Sequence, residues 1–342
     1  MSMIAATTSL VERLPLPDTL TRIGISQLAR RTHRRMVAAP PGIDEAFADA
    51  MRGYPIAEHT DDANAQHYEL PEAFFGLVLG SHRKYSSCLY LTAQDRLAQA
   101  ETNALAETCA HADLHDGQDI LELGCGWGSL SLWMATNYPN ARITAVSNSN
   151  SQRQYIMDTA HARGLGNLRI ITADMNFFTL EARFDRVVSV EMFEHMANWD
   201  ALLGRVRDWL RPDGRLFLHV FSHITTPYRF DTADPADWIA QHFFTGGIMP
   251  SHNLVHSFPH LFQVEQDWRW SGRHYQRTAR HWLENFDANA ACIYPLLRDA
   301  YGAKAGLWHR RWRLFFLAVE GLFGHDDGAA WGVSHYRLKP VF

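Results

Sequence analysis

The amino-acid sequence predicts an α/β protein whose centre is a doubly wound, seven-stranded sheet with helices on both faces. From residue 116 onward, short apolar strand patterns alternate with helical patterns, which is typical of successive βαβ units. A glycine-rich turn connects the first of these strands to the first helix. Hydrophobic residues make up 46% of the 342 residues, which is enough to form a sizeable core.

The strands are predicted from short apolar runs bounded by turn residues. The first five are separated by helical segments, so right-handed crossovers should make them parallel neighbours. The last two follow after this alternation ends. The predicted strands are Asp119–Leu123, Arg142–Val146, Leu168–Thr172, Phe184–Val190, Arg215–Phe221, Gln263–Trp270 and Trp331–Leu338.

The helices are predicted from apolar spacing of three and four residues, and Ser149 is expected to cap one of them. No convincing strand occurs in residues 1–115, which are predicted to form a helical N-terminal cap. Residues 116–342 are predicted to form one ligand-binding domain, with an aromatic-rich insertion over 222–261. The predicted helices are Asp18–Ala38, Gly42–Met51, Glu72–Leu79, Ser129–Asn137, Ser149–Arg163, Asp200–Leu210, Thr278–Ala300 and Lys304–Phe323.

Composition and charge exclude several classes of function. The 32 Lys and Arg against 37 Asp and Glu give a net charge of −5, which argues against nucleic acid as a partner. No apolar run approaches the roughly 18 residues that span a bilayer, and Met1–Leu14 lacks the pattern of a secretory signal. The four Cys are scattered without a Cys-x-x-Cys pair, so no disulfide framework is expected and a reducing cytoplasm fits.

The glycine-rich turn Gly124-Cys125-Gly126-Trp127-Gly128 is a candidate cofactor site. A dinucleotide fingerprint would require a third glycine where Ser129 stands and an acidic residue about 20 positions further on, where this chain has Ser147. A phosphate-binding P-loop is also absent. Glu122, just before the turn, suits a cationic cofactor better than a pyrophosphate, and S-adenosylmethionine carries both a sulfonium and an ammonium group. The alternative is a tight turn without a ligand.

Glu191, Glu194 and His195 follow directly after the fourth predicted strand, at the edge of the sheet where ligands bind in this class of fold. If the segment begins a helical turn, Glu191 shares a face with both other residues. Glu-x-x-His spacing can also bind a metal, but the second such motif that helical bundles use is missing. Solvated helix residues are a further alternative. The position favours a catalytic site without a metal.

Several segments together resemble class I methyltransferases, in the branch that includes cyclopropane fatty acid synthases and the alkaloid N-methyltransferases of the coclaurine type. The resemblance runs from about Asp18 to the C-terminus. It implies a Rossmann-like fold, S-adenosylmethionine as cofactor and methyl transfer as reaction. The segments that carry it are Glu122–Gly128, His67–Pro71, Tyr85–Ser87, Ser147–Gln152, Glu191–Met196, Phe244–Gly247, Gly272–Tyr275 and Trp331–Tyr336.

The resemblance implies where the cofactor binds. Tyr85 and Ser86 should close over its methionine part, Gln152 should bind the ribose, and Asp174 with Met175 should lie near the adenine. Asp174 could equally be a helix N-cap. The residues expected to bind the cofactor are Tyr85, Ser86, Glu122, Gly124, Gly126, Ser147, Gln152, Asp174, Met175 and Val190.

The resemblance also implies a small-molecule amine as substrate. The insertion over residues 222–261 is expected to form a lid over it. In the alkaloid enzymes, the matches of Glu191, Glu194 and His195 bind or deprotonate the amine, which must lose a proton before its nitrogen can attack. A homodimer is left open as the assembly. The residues expected to line the substrate site are Ser87, Phe193, His219, Phe244 and Tyr275.

Acyl-chain chemistry is the main alternative, either cyclopropanation or C-methylation. The resemblance implies that the cyclopropane synthases use a bound bicarbonate as base, held by a Cys, a Glu, a His and a Tyr. Glu194, His219 and Tyr275 match three of these, but the Cys falls on Ser87 unless the register slips to Cys88. Glu191 replaces a small residue, and its carboxylate suits a cation better than an apolar chain. A catalytically silent cofactor-binding protein is the second alternative.

Overall fold

A seven-stranded sheet forms the centre of the molecule, as the alternating sequence pattern predicts. The computed structural model describes residues 16–58, 70–234 and 237–342. Met1–Leu14 and the His67–Glu69 part of one motif lie outside the described residues. The predicted fold class is confirmed, with one difference: the sheet is mixed, because its last strand runs against its neighbours.

The strand order is β3-β2-β1-β4-β5-β9-β8. The first five strands are parallel, whereas β9 is antiparallel to both β5 and β8. Two short strands, β6 and β7, form a separate ribbon in the insertion. The strands are β1 Asp119–Leu123, β2 Arg142–Ser147, β3 Leu168–Thr172, β4 Phe184–Val190, β5 Leu210–His223, β6 Tyr228–Arg229, β7 Ile248–Met249, β8 Phe262–Ser271 and β9 Trp331–Pro340.

The helices flank this sheet. Helix α1 packs against α11, and Asp18 pairs there with Arg313, so the N-terminal cap rests on the C-terminal helices. No helix in the described ranges is both long and apolar enough to cross a membrane. The helices are α1 Asp18–Val37, α2 Ile43–Met51, α3 Glu72–Val78, α4 Leu97–His111, α5 Ser129–Asn137, α6 Asn150–Ala162, α7 Trp199–Trp209, α8 Trp238–His242, α9 Gly272–Ala288, α10 Ala290–Tyr301 and α11 Ala305–Phe323.

Two predicted elements are wrong in detail, and one helix was not predicted individually. The single helix predicted over Thr278–Ala300 is two helices, α9 and α10, which meet at Asn289. The Asn289 amide donates to the carbonyls of Leu77 and Asn285, so its side chain competes with the helical hydrogen bonds there. Strand β5 begins at Leu210, five residues earlier than predicted. Helix α4 had no prediction of its own, because Glu101 is buried in its middle and interrupts the apolar pattern.

The turn after β4 is tied to the N-terminal region. Asn198 caps helix α7 by accepting a hydrogen bond from the Ala201 N–H at 3.0 Å. Its amide also donates to the Tyr54 carbonyl at 2.9 Å, and the Ala197 N–H donates to the Ile56 carbonyl at 2.7 Å. These bonds hold the segment after β4 against residues 54–58, and so fix one wall of the site at the sheet edge.

We expect Asn198→Ala to lower the free energy of unfolding by about 1–3 kcal/mol, because it removes the helix cap and leaves the Tyr54 carbonyl without its donor. Denaturant unfolding, with the slope m unchanged, measures this loss. Asp208→Ala, at an exposed position of the same helix, is the control and should change stability by less than about 0.5 kcal/mol. Equal stability of the two variants would contradict the assigned cap.

Candidate active site

Two adjoining cavities lie at the carboxyl ends of the central parallel strands. The open space at these two cavities amounts to about 780 Å³ and about 610 Å³. They share Gly124, Gly126, Gln152 and Glu191 as lining residues. This is the edge of the sheet at which the strand order reverses between β1 and β4, where open α/β sheets bind their ligands.

All ten residues that the sequence assigned to the cofactor line these cavities. The structure therefore brings together positions that are up to 105 residues apart, from Tyr85 to Val190. The larger cavity is lined by Gly124, Gly126, Ser147, Gln152, Asp174 and Met175, and the smaller one by Tyr85, Ser86, Glu122, Gly124, Gly126, Gln152 and Val190. Asp174 also accepts a hydrogen bond from the Asn176 N–H at 2.7 Å, so it serves the local turn as well.

The glycine turn requires glycine for two different reasons. Gly124 has φ of +79°, and a Cβ there would lie 2.5 Å from Met192 Cγ, so a side chain is excluded by packing. Gly126 has φ of +52°, but a Cβ there would meet no atom within 4 Å. The space beside Gly126 opens into both cavities, so this backbone can approach a ligand closely.

Gln152 offers a buried donor to a ligand. Gln152 is 1% exposed, and its Oε1 accepts a hydrogen bond from the Ser147 hydroxyl at 2.6 Å. Its Nε2 has no hydrogen-bond partner among the described residues. A buried polar group without a partner is costly. A ligand with a hydroxyl acceptor would remove this cost, so the donor set fits the ribose of a nucleoside cofactor.

Glu122 is a buried carboxyl at the other end of the same site. The Ser131 hydroxyl donates to it, and burial raises its pKa to about 7. A nearby cation would lower this pKa, because it stabilises the charged form of the carboxyl. The position therefore fits the ammonium or sulfonium of a cationic cofactor.

Glu191 contacts three polar partners from three different parts of the chain. Its Oε1 accepts from the Ser87 N–H at 2.9 Å and lies 3.2 Å from His219 Nε2. Its Oε2 accepts from the Tyr275 hydroxyl at 2.8 Å. The carboxylate is 8% exposed, and burial raises its pKa although Lys84, Ser87 and Tyr275 act in the opposite sense.

The expected helical turn starting at Glu191 is wrong. Glu191 has φ of +47°, in the left-handed region, and only Phe193–His195 form a short 3₁₀ turn. The left-handed conformation directs the Glu191 carboxylate away from the turn and toward β5 and α9. Consequently Glu191 and His195 line the larger cavity, whereas Glu194 does not.

Glu194 lies behind the cavity wall. It is fully buried, its Oε1 accepts from the Phe221 N–H at 2.6 Å, and burial together with Glu191 raises its pKa well above the usual range. The Phe193 ring is also fully buried, with its centroid 5.4 Å from that of Trp199, and its contact with substrate stays a prediction. The side chain points into the core because residue 193 begins the 3₁₀ turn.

The remaining predicted substrate residues divide into two groups. Phe244 lies with its ring centroid 4.3 Å from that of His195, and its neighbour Thr245 lines the larger cavity, so the insertion contributes to the site. Ser87, His219 and Tyr275 line neither cavity and reach it only through their bonds to Glu191. Their direct contact with substrate stays a prediction.

Sequence reasoning missed two buried charges beside the site. Lys84 lies in the wall of the smaller cavity, its ammonium donates to the Ser86 hydroxyl and the Ser87 carbonyl, and burial lowers its pKa. Glu101 accepts from the backbone N–H groups of Gly80, His82 and Lys84, and so shapes this irregular segment. The one available signal was a lysine directly before Tyr85.

No three His, Cys, Asp or Glu side chains are placed to hold a metal in the described ranges.

Comparisons with known proteins confirm the resemblance. The family model for mycolic acid cyclopropane synthetase matches residues 57–326. The chain is 34% identical over 295 residues to (S)-coclaurine N-methyltransferase of Thalictrum flavum subsp. glaucum, covering 85% of this chain and 82% of that protein. It is 31% identical over 276 residues to cyclopropane-fatty-acyl-phospholipid synthase of Escherichia coli strain K12, covering 80% and 67%.

A solved structure is similar over nearly the whole chain. Coclaurine N-methyltransferase bound to N-methylheliamine and SAH superposes with a TM-score of 0.91 at 32% identity, covering 98% of this chain and 99% of that one. Together with the glycine turn, Gln152 and Glu122, this similarity identifies S-adenosylmethionine as the cofactor.

We expect Gln152→Leu to weaken binding of S-adenosylhomocysteine about three- to ten-fold, because it removes the buried donor that faces the cofactor. Titration calorimetry measures this change. Gln154→Leu is the matched control, since Gln154 lies on the same helix but points to Asp158 at the surface. An unchanged affinity in Gln152→Leu would show that this amide does not contact the cofactor.

Glu122 predicts a pH dependence of cofactor affinity. Its pKa is about 7 without a bound cation, so a cation that binds the charged form must first displace a proton below that pH. Affinity for S-adenosylmethionine should therefore rise about ten-fold from about pH 6 to about pH 8. The rise should disappear in Glu122→Gln, and an equal rise in both proteins would contradict the assignment.

Proposed function

Because the chain belongs to the mycolic acid cyclopropane synthetase family and is an S-adenosylmethionine-dependent N-methyltransferase, we propose that its substrate is a small amine with an aromatic group. Both kinds of relative are similar enough that similarity alone does not choose the substrate. The choice rests on the residues of the site, and above all on Glu191.

The carboxylate of Glu191 is the observation that carries this proposal. By resemblance, the cyclopropane synthases use the matches of His219 and Tyr275 to hold a bicarbonate base. In this chain both side chains bond to Glu191, at 3.2 and 2.8 Å. The Glu191 side chain thus occupies the two groups, His219 and Tyr275, that would otherwise hold a free anion. It supplies a base inside the wall of the cavity and favours a cation over an apolar acyl chain.

Deprotonation of the amine is the first task of the site. An alkyl amine is mostly protonated at neutral pH and has no lone pair with which to attack. Glu191 and His195 both line the larger cavity, so either can accept this proton. When bound, S-adenosylmethionine supplies a methyl group on a positively charged sulfur. The cavity walls hold the amine beside it and exclude water, which lowers the entropic part of the barrier.

Glu194 and Glu191 are neighbouring carboxyls with different surroundings, and we propose different roles for them. Burial and the neighbouring Glu191 raise the pKa of Glu194 well above its usual range, and it has one backbone donor, whereas Glu191 has two donors, a contact with His219 and Lys84 nearby. Two carboxyls whose surroundings separate their pKa values are suited to different roles. We assign Glu191 as the proton acceptor and Glu194 as a positioning residue that anchors the 3₁₀ turn to β5.

An aromatic group on the substrate fits the lining of the larger cavity. Met192 and Met196 line it, and the Phe244 ring packs on His195 at its edge. Thioether and aromatic side chains form favourable contacts with flat rings and with cations. The insertion that carries Phe244 would cover the amine.

An assay with methyl-labelled S-adenosylmethionine tests the proposal. Benzylic and aliphatic amines are offered in parallel with vesicles of an unsaturated phospholipid. We expect label on the nitrogen of an aromatic amine and none in the lipid. Label that appears in lipid and in no amine would exclude the proposed substrate class and favour the acyl-chain alternative.

We expect Glu191→Gln and His195→Ala each to reduce the rate of methyl transfer by about 10²- to 10⁴-fold, because each removes a proton acceptor at the cavity. Binding of S-adenosylhomocysteine should change less than about three-fold. His115→Ala, an exposed histidine paired with Asp113, is the control and should behave like the wild-type chain. Unchanged turnover in both site variants would remove these residues from the mechanism.

A further inference from the structure

A continuous row of side chains connects Glu191 with the protein surface. His219 Nδ1 lies 2.8 Å from His335 Nε2, and His335 Nδ1 lies 2.8 Å from His111 Nδ1. His111 Nε2 then lies 3.0 Å from Glu107 Oε1, whose side chain is 43% exposed. With the 3.2 Å contact between His219 and Glu191, every ring nitrogen of the three histidines has a partner.

The fold builds this row from three elements. His219 on β5 and His335 on β9 are paired residues in the antiparallel register, so their imidazoles lie on the same face of the sheet. Helix α4 packs on β9 and brings His111 to the far side of His335. The His111 ring stacks on Trp268 of β8, with centroids 3.8 Å apart and planes 7° from parallel. The rings are therefore held in place by the sheet itself.

We propose that Glu191, His219, His335, His111 and Glu107 form a proton relay that carries the proton of the ammonium substrate from the closed active site to solvent. The relay rests on the proposed function, because only a substrate that must be deprotonated supplies this proton. The inner end of the row, Glu191, lines the cavity, and the outer end, Glu107, is exposed to water. A purely structural cluster would need neither connection. Once cofactor and amine fill the cavity, the proton has no water beside Glu191 to receive it.

Neutral imidazoles can pass a proton because each has one donor and one acceptor nitrogen. Burial lowers the pKa of His111, and lowers those of His219 and His335 far below the ordinary value, so all three rings are neutral at rest. The charged groups that face the row act in both directions. Lys84 further disfavours a positive charge on His219 and His335, Arg337 does so for His111, and Glu107 favours it at the outer end.

The transfer balances as a series of five hops, which begins with the His219 proton on Nδ1. The amine gives its proton to Glu191, which becomes a neutral acid. Glu191 then protonates His219 Nε2 while His219 Nδ1–H passes its proton to His335 Nε2. His335 Nδ1–H protonates His111 Nδ1, and His111 Nε2–H releases a proton to Glu107 and water. After product leaves and water enters the cavity, the reverse hops bring a proton to Glu191, which loses it to that water and restores the tautomers.

The test compares His335→Gln and His111→Phe with the wild-type chain. His111→Phe keeps the stacking on Trp268 and removes both nitrogens. His223→Gln is the matched control, because His223 is equally buried on β5 but pairs with His33 and not with Glu191. Single-turnover methyl transfer to one alkyl amine is measured from neutral pH to the pH at which the amine is a free base.

We expect both relay variants to lose about ten-fold or more of the rate at neutral pH. The loss should shrink toward two-fold or less at high pH, where the amine needs no base, and His223→Gln should show no such pH-dependent loss. A loss that is the same at every pH would mean that the histidines only support the fold. No loss at any pH would mean that the row carries no proton. A wild-type chain that methylates no amine would instead contradict the proposed function, and the relay with it.

Discussion

The left-handed conformation of Glu191 is the constraint on which the rest of the site depends. A residue with a side chain adopts positive φ at a cost of about 1 kcal/mol or more, so the surroundings must hold it there. The bonds from Ser87, His219 and Tyr275 do so, and they come from the segment after α3, from β5 and from α9. One carboxylate thereby joins the N-terminal cap, the sheet and the C-terminal helices at the edge of the cofactor site.

Buried charged groups around this arrangement control the protonation of its side chains. Lys84, Glu101, Glu122 and Glu194 are all buried within or behind the walls of the two cavities. In a medium of low polarity, each charge strongly affects the protonation of its neighbours. Two relatives at 34% and 31% identity carry the names of different activities, and since one fold can support several functions, we attribute the difference to such groups and not to the fold. In this chain we assign that part to the carboxylate of Glu191.

Local patterns were sufficient to predict most of the fold and the cofactor side of the site. Strand alternation, the glycine turn and the Ser149 cap each depend on a few neighbouring residues, and the resemblance of short motifs pointed to ten residues that line the two cavities. The reactive side depends on long-range pairing. The bond between His219 and His335 requires the antiparallel register of β9, and the direction of Glu191 requires a positive φ that sequence spacing does not reveal. For the same reason spacing did not reveal that only Phe193–His195 form a short turn, or that the Phe193 ring packs in the core.

The central claim is that a substrate ammonium loses its proton through Glu191. The most direct measurement is the number of protons released when an alkyl amine binds to the complex with S-adenosylhomocysteine, from calorimetry in buffers of different ionisation enthalpy at neutral pH. The account predicts release of about one proton per amine bound to the wild-type chain and none in Glu191→Gln. No release from the wild-type chain, or an equal release from Glu191→Gln, would contradict it.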